Sequence, residues 1–259
     1  MIMSSLPINQ IICSDCLEIM KHFPNDCIDL TVTSPPYDNL RTYKGYEFNF
    51  EEIANQLYRI TKLGGVVVWV VGDATIKGSE TGTSFRQALG FMDIGFRLHD
   101  TMIYLKDHLA FPDSNRYYQG FEYMFVFSKS RPKSVNRLSD RYNKSVGRGM
   151  KGTTERTKEG ITRARVDTGK IIEEYGIRFN YWFISNPYRG IHTQNHPATF
   201  PLELANDHIY SWSNDGDIVL DPFIGSGTTA LAAKKLNRNY IGIDISQEYC
   251  DLARERVRT

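Results

Sequence analysis

Apolar residues recur along this chain in seven short blocks, at residues 8–13, 28–33, 66–71, 101–105, 123–127, 217–220 and 240–243. Each block is rich in β-branched, aliphatic or aromatic side chains, the pattern of a strand buried on both faces. Between several of them a period near 3.6 predicts helices over 50–61, ended by Gly64 and Gly65, over 84–90 and over 228–236. A last helix starts from an N-cap at Ser246 and runs through Tyr249, Ala253 and Val257. Strands alternating with helices predict an α/β fold: a mostly parallel sheet with helices on both faces. Residues 130–167 break the rhythm. They are rich in Gly, Ser, Thr, Lys and Arg, hold Tyr142 as their one aromatic and show neither period, which predicts an insertion beyond the core.

Composition narrows the class. At 259 residues, with 41% hydrophobic and 24% charged content, the chain can bury one substantial core. Its longest apolar run, 66–71, is far short of the roughly 20 residues of a membrane span, and MIMSSLPINQ has no charged-then-apolar leader, so a soluble cytoplasmic protein is expected. The four cysteines, Cys13, Cys16, Cys27 and Cys250, give no disulfide framework. Cys13-x-x-Cys16 has no second ligand pair and no thioredoxin pattern, so no metal is expected and the pair reads as buried or half-buried thiols. Charge is uneven. Residues 129–170 hold thirteen basic and four acidic side chains, an excess of nine that leaves the rest of a +1 chain at −8. Clustered cations of this kind point to a polyanion, with Lys144, Arg148, Lys151, Arg163 and Arg165 the candidate phosphate contacts.

Two segments carry candidate chemistry. Residues 217–244, DIVLDPFIGSGTTALAAKKLNRNYIGID, read as strand, glycine turn, helix and strand. Gly225 and Gly227 would let backbone approach a ligand, and Asp244 at the second strand's end could accept from two ribose hydroxyls. A nicotinamide dinucleotide fingerprint shares this spacing. The chain, however, ends 15 residues after Asp244, so the remaining strands must come from its N-terminal half. Asp221-Pro222-Phe223 also offers a carboxylate and a flat ring, better suited to the cationic, phosphate-free S-adenosylmethionine than to a pyrophosphate.

The second segment is Ser34-Pro35-Pro36-Tyr37, directly after the strand at 28–33. Consecutive prolines end the ladder and leave carbonyl oxygens rigidly aimed at the carboxyl end of a parallel sheet. The exocyclic amine of a base is a poor nucleophile because its lone pair is delocalised. If the Ser34 hydroxyl and the Pro35 carbonyl accept its two hydrogens, the nitrogen can pyramidalise and attack a sulfonium methyl. Tyr37 would stack on a base extruded from the duplex.

Together these residues resemble the beta group of amino-DNA methyltransferases, in which the catalytic motif precedes the cofactor motif. Thr33-Ser-Pro-Pro-Tyr37 is similar to the catalytic motif, and Asp221-Pro-Phe-Ile-Gly-Ser-Gly-Thr228 to the cofactor motif, placing Asp221, Phe223, Gly225, Ser226, Gly227 and Thr228 at the cofactor. Gly242-Ile-Asp244 matches the ribose element. Asp15 matches an acid that approaches the cofactor's adenine, and Asn195, His196, Pro197 and Phe200 match an element beside its methionine end.

The resemblance implies a permuted Rossmann-like methyltransferase fold. A catalytic half would occupy 1–129, a target-recognition insertion 130–190 and a cofactor half 191–259. It further implies base flipping on double-stranded DNA, a restriction-modification setting with a cognate endonuclease, and often a homodimer. Members with serine before the proline pair mostly modify cytosine N4, and those with aspartate mostly adenine N6, so cytosine is the expected base and adenine the alternative. A thiolate mechanism at a ring carbon needs a Pro-Cys pair, which this sequence lacks. The same residues also admit three other readings: a nicotinamide-dependent oxidoreductase, a DNA-binding protein on an inactive cofactor fold, and an RNA substrate.

Overall fold

A computed structural model of the chain describes residues 5–36, 48–106, 115–149, 154–164, 169–185 and 200–258. Eight strands form one sheet: β1 (Gln10–Cys13), β2 (Ile28–Thr33), β3 (Thr61–Val71), β4 (Arg97–Leu105), β5 (Phe121–Ser128), β6 (Tyr181–Phe183), β7 (Ile218–Asp221) and β8 (Asn239–Asp244). Their spatial order is β1-β8-β7-β2-β3-β5-β4-β6. All neighbours are parallel except β5, which runs against both β3 and β4. The C-terminal strands β7 and β8 thus insert between β1 and β2, and the two ends of the chain build one continuous sheet.

Among the described residues six helices accompany it: α1 (Cys16–Met20), α2 (Phe50–Ile60), α3 (Thr83–Ile94), α4 (Leu202–Trp212), α5 (Thr228–Lys235) and α6 (Gln247–Arg258). Side chains alternate along a strand, so burial on both faces requires cover on both. Val67, Trp69 and Val71 of β3 share a core with Ile53 and Leu57 of α2 and Phe91 of α3, while Val66, Val68 and Val70 are equally buried on the other face. Near the far edge, Ile12 packs with that first core, and its neighbour Ile11 packs with Ala230 of α5 and Cys250, Ala253 and Val257 of α6. This is the expected α/β architecture with helices on both faces. Among the described residues no helix is long and apolar enough to cross a membrane.

Helix α2 shows how local sequence sets these elements. Asn49 caps it by accepting from the Glu52 N–H at 3.2 Å, and Ile53, Ala54, Leu57 and Ile60 form its buried face. The expected stop at Gly64-Gly65 is corrected: α2 ends at Ile60 and passes into β3 at Thr61, which turns to extended backbone. Both glycines lie within β3, where a Cβ on Gly65 would come 2.7 Å from Thr61 Cγ2. Helix α3 outruns the expected 84–90. Gly90 sits inside it because a Cβ there would meet Phe50 Cε1 at 2.6 Å. Helix α4 was not signalled by periodicity, since His208 and Ser211 occupy buried positions that the pattern reads as polar.

Residues Arg137–Phe179 form a second compact unit. It is built from short antiparallel pairs, Arg141–Tyr142 with Tyr175–Gly176 and Thr154–Arg156 with Thr162–Ala164. Arg178 Nε lies 3.1 Å from both carboxylate oxygens of Asp140 within this unit. Flanking residues belong to the sheet unit: Asn136 N donates to Ser211 O at 2.8 Å, and β6 pairs with β4.

Candidate active site

Strand β2 delivers Thr33 to the carboxyl edge of the sheet, and Ser34, Pro35 and Pro36 follow it out. Pro35 is buried, with Ser34 and Pro36 half-buried on either side. Parallel pairing of β2 with β7 sets Leu30 against Val219 and Thr31 against Leu220, which brings the end of β7, Asp221, beside Thr33. The Asp221 carboxylate accepts from Thr33 Oγ1 at 2.6 Å, Thr229 Oγ1 at 2.7 Å and the Phe223 N–H at 3.0 Å. Thr229 Oγ1 also lies 3.2 Å from Val32 O, but its single proton goes to the closer, charged acceptor. One buried acid therefore ties the residue before the proline turn to the first turn of α5, across 188 positions of sequence.

Burial pushes the Asp221 carboxyl up to about 6. The Thr33 and Thr229 hydroxyls and the Phe223 N–H work against that rise, and the nearby charge of Asp244 adds to it. Asp244, at the end of β8, is also raised by burial, opposed by backbone N–H groups that include those of Ser246 and Gly225. Its two oxygens accept from Ser246 N at 2.9 Å and Gly225 N at 3.0 Å, so each keeps capacity for a ribose hydroxyl. Desolvation is the leading cause of both rises, so a positive charge brought near this edge would favour the ionised form of each acid. Asp29, buried at the opposite end of β2, differs. Burial raises it, but the Ile218 N–H, Lys133 and Lys62 outweigh burial and hold it below the usual carboxylate range.

The glycine turn has φ of +49° at Gly225 and +83° at Gly227. A Cβ on Gly227 would lie 2.9 Å from Ala253 Cα, so this glycine lets the start of α5 close on α6. Arg256 of α6 donates from Nη1 to Ser226 Oγ and to Thr228 Oγ1, each at 3.0 Å, directing both hydroxyls toward the last helix. Phe223 is half-buried and meets the rings of Phe48 at 5.8 Å and Trp69 at 6.5 Å. Asp15 caps α1 by accepting from Leu17 N at 2.7 Å, one residue after Ser14, whose N–H donates to Asp244 O at 2.9 Å. Phe200 is half-buried just ahead of Pro201, the N-cap of α4.

Tyr37, Asn195, His196, Pro197, Lys151 and Arg165 lie outside the described residues. In the second unit Lys144, Arg148 and Arg163 are exposed, and Arg163 pairs with Glu155 at 2.7 Å. Among the described residues no three His, Cys, Asp or Glu side chains are placed to hold a metal ion. Of the Cys13-x-x-Cys16 pair, Cys13 is half-buried and Cys16 buried. Thr33, Thr229 and Arg256 went unassigned on sequence. The two threonines stand beside the motifs, one before the proline turn and one inside Gly-x-Gly-Thr-Thr, but only the pairing of β2 with β7 shows that both meet Asp221.

The N6/N4 DNA methylase family profile matches residues 28–255 of this chain. The orphan methyltransferase M.BamHII of Bacillus amyloliquefaciens is 59% identical over 244 residues, covering 92% of each chain. The Type II methyltransferase M.HpaI of Haemophilus parainfluenzae is 28% identical over 96% of this chain and 74% of its own. Among solved structures, the PvuII DNA methyltransferase (cytosine-N4-specific) superposes with a TM-score of 0.71 at 24% identity, covering 95% of this chain and 85% of that one. An M1.HpyAVI–SAM complex gives 0.64 at 23% identity over 96% and 99%.

Proposed function

This chain belongs to the N6/N4 DNA methylase family, and from that premise we propose that it moves a methyl group from S-adenosylmethionine to the exocyclic N4 amine of cytosine in duplex DNA. The observation that supports the reading is the bond from Thr33 Oγ1 to Asp221 at 2.6 Å, which joins the residue before the proline turn to the residue that leads into the glycine turn. The residues fit the cofactor: Asp244, each of whose oxygens accepts one backbone N–H, for a ribose diol, and the half-buried Phe223 ring for a flat surface.

When bound, S-adenosylmethionine supplies an electrophilic methyl group on a sulfonium. The protein's part is positioning and electrostatics. Ser34 Oγ and Pro35 O accept the two hydrogens of the target amine, which localises its lone pair and stabilises the positive charge that grows on nitrogen during attack. Pro35 is buried, and the fixed φ of each proline together with the restriction Pro36 places on its predecessor limits how far the Pro35 carbonyl can turn. Tyr37 stacks on the extruded base, Asp15 approaches the adenine of the cofactor, and residues 195–200 pack beside its methionine end. The basic Arg137–Phe179 unit supplies phosphate contacts and sequence recognition through Lys144, Arg148, Lys151, Arg163 and Arg165. A second copy of the chain and a cognate endonuclease complete the proposed set of partners.

Ser34 before the proline pair favours cytosine, and the PvuII methyltransferase, which shares the fold, is cytosine-N4-specific. The test is incubation with plasmid DNA and methyl-deuterated cofactor, followed by nucleoside mass analysis and mapping of the modified site. Labelled N4-methylcytosine is expected. Labelled N6-methyladenine would replace cytosine by adenine, and no labelled nucleoside would reject the activity.

A further inference from the structure

Beside the pocket, the same edge of the sheet carries an exposed feature that the reading above leaves unused. Residues 75–80 form a two-residue-turn hairpin, with Thr75 opposite Glu80 and Ile76 opposite Ser79. Lys77 and Gly78 at its tip both have positive φ, 51° and 77°, as a type I′ turn requires. Asp73 anchors its base, accepting from Ser84 N at 2.9 Å, from Thr81 Oγ1 at 3.3 Å and from Ser84 Oγ.

Arg116 clips a second segment to this hairpin. It donates to Gly78 O and pairs with Glu80 at 3.5 Å, while Lys106 N donates to Gly120 O at 2.8 Å and fixes the segment's far end. Between these anchors stand Tyr117, fully exposed, and Tyr118, 53% exposed. Register places them. Thr33 pairs with Trp69, and Val71, two residues on, pairs with Tyr123 of the antiparallel β5. The segment leading into β5 therefore emerges at the edge from which Ser34, Pro35 and Pro36 emerge.

Adjacent exposed rings on an anchored backbone present flat apolar area to solvent at little entropic cost, and Arg116, held by Glu80 and Gly78 O, joins them to the hairpin whose tip carries the cation Lys77. A base withdrawn from a duplex leaves a gap in the stack that a flat side chain can fill, and the flanking phosphates attract the cations. We propose that the Tyr117-Tyr118 segment, clipped to the 75–80 hairpin, is a DNA-opening element, with Tyr117 occupying the gap left by the target base and Lys77 against a phosphate. The inference rests on the DNA methylation reading and adds to it the group that holds the duplex open.

The probe is a duplex carrying the site mapped in the labelling experiment, compared with the same duplex in which the target base faces a mismatch. Binding is read by fluorescence anisotropy in the presence of S-adenosylhomocysteine. Tyr117→Ala is expected to weaken binding to the matched duplex by about tenfold, the scale of one lost base–aromatic stack, and to lose far less on the mismatched duplex, which is cheaper to open. Tyr117→Phe should restore matched binding, and Lys77→Ala should lower the salt slope by about one. Thermal melting and S-adenosylhomocysteine affinity should stay at wild-type values, separating this effect from misfolding. Equal losses on both duplexes, or none on the matched one, would overturn the proposal. If wild-type protein methylates no DNA, the functional reading falls instead, and that outcome appears before any variant is made.

Discussion

Replacing Thr33 by Val removes one hydroxyl from the junction between the two halves of the site while conserving side-chain size. Thr33 is fully buried and donates at 2.6 Å to a carboxylate that is 2% exposed, so solvent cannot replace the lost donor. A hydrogen bond to a charged group contributes about 1.5–3 kcal/mol, against roughly 1 kcal/mol for a neutral pair. The difference makes the loss pH-dependent. Asp221 titrates at about 6 in the native protein, whereas an unfolded aspartate titrates near ~4. Native protein thus binds more protons through that window, and this group's contribution to stability falls as pH rises across it. With one donor fewer, the native carboxyl moves higher still. Urea unfolding should therefore show a loss of about 2–3 kcal/mol at pH 8, where Asp221 is ionised, and about 1 kcal/mol at pH 5, where it holds its proton. Equal losses at the two pH values would mean that Thr33 does not hold the charged form. A loss under about 0.5 kcal/mol at pH 8 would remove the bond from the account altogether.

Other consequences follow from the same geometry. Asp244→Ala should weaken S-adenosylhomocysteine binding by at least about tenfold in calorimetry, because charge-assisted bonds to a diol are lost; unchanged affinity removes this acid from the ribose site. Gly227→Ala forces a Cβ to 2.9 Å from Ala253 Cα at a φ of +83° and should cost about 2–4 kcal/mol. An unshifted thermal midpoint would contradict that packing role. Neutralising Lys144, Arg148 and Lys151 together should flatten the salt dependence of DNA affinity by about three charges' worth of slope, and a slope equal to wild type would show that this unit does not touch phosphates. Tyr37→Ala should lower turnover far more than cofactor affinity, and equal losses in both would contradict stacking on the base.

The sheet was legible where its strands are continuous apolar blocks, as at residues 66–71 and 240–243, since burial on both faces leaves no alternation to misread. Direction was not. The run at 123–127 gives no sign that β5 lies antiparallel between β3 and β4, because its side chains satisfy either orientation. Helix α4 was hidden by His208, whose Nε2 lies 3.2 Å from Met124 Sδ in the core, a contact that periodicity counts as polar. The same limit holds at the site. Asp221 and Asp244 were legible from their places at strand ends, but Asp221's partners Thr33 and Thr229 are set by strand register, which local sequence does not encode. Ser226 and Thr228 were marked for the cofactor by motif, while the structure turns their hydroxyls to Arg256, a residue that reads on sequence as an ordinary cation of a C-terminal helix turn.

The most direct measurement is a crystal structure of the protein with S-adenosylhomocysteine and its mapped duplex. The proposed mechanism expects the thioether sulfur beside the Ser34-Pro35 turn, with an extruded base whose amine meets Ser34 Oγ and Pro35 O within about 3–3.5 Å. A nucleoside seated away from Asp244, or a base that reaches the protein anywhere but at the proline turn, would contradict it.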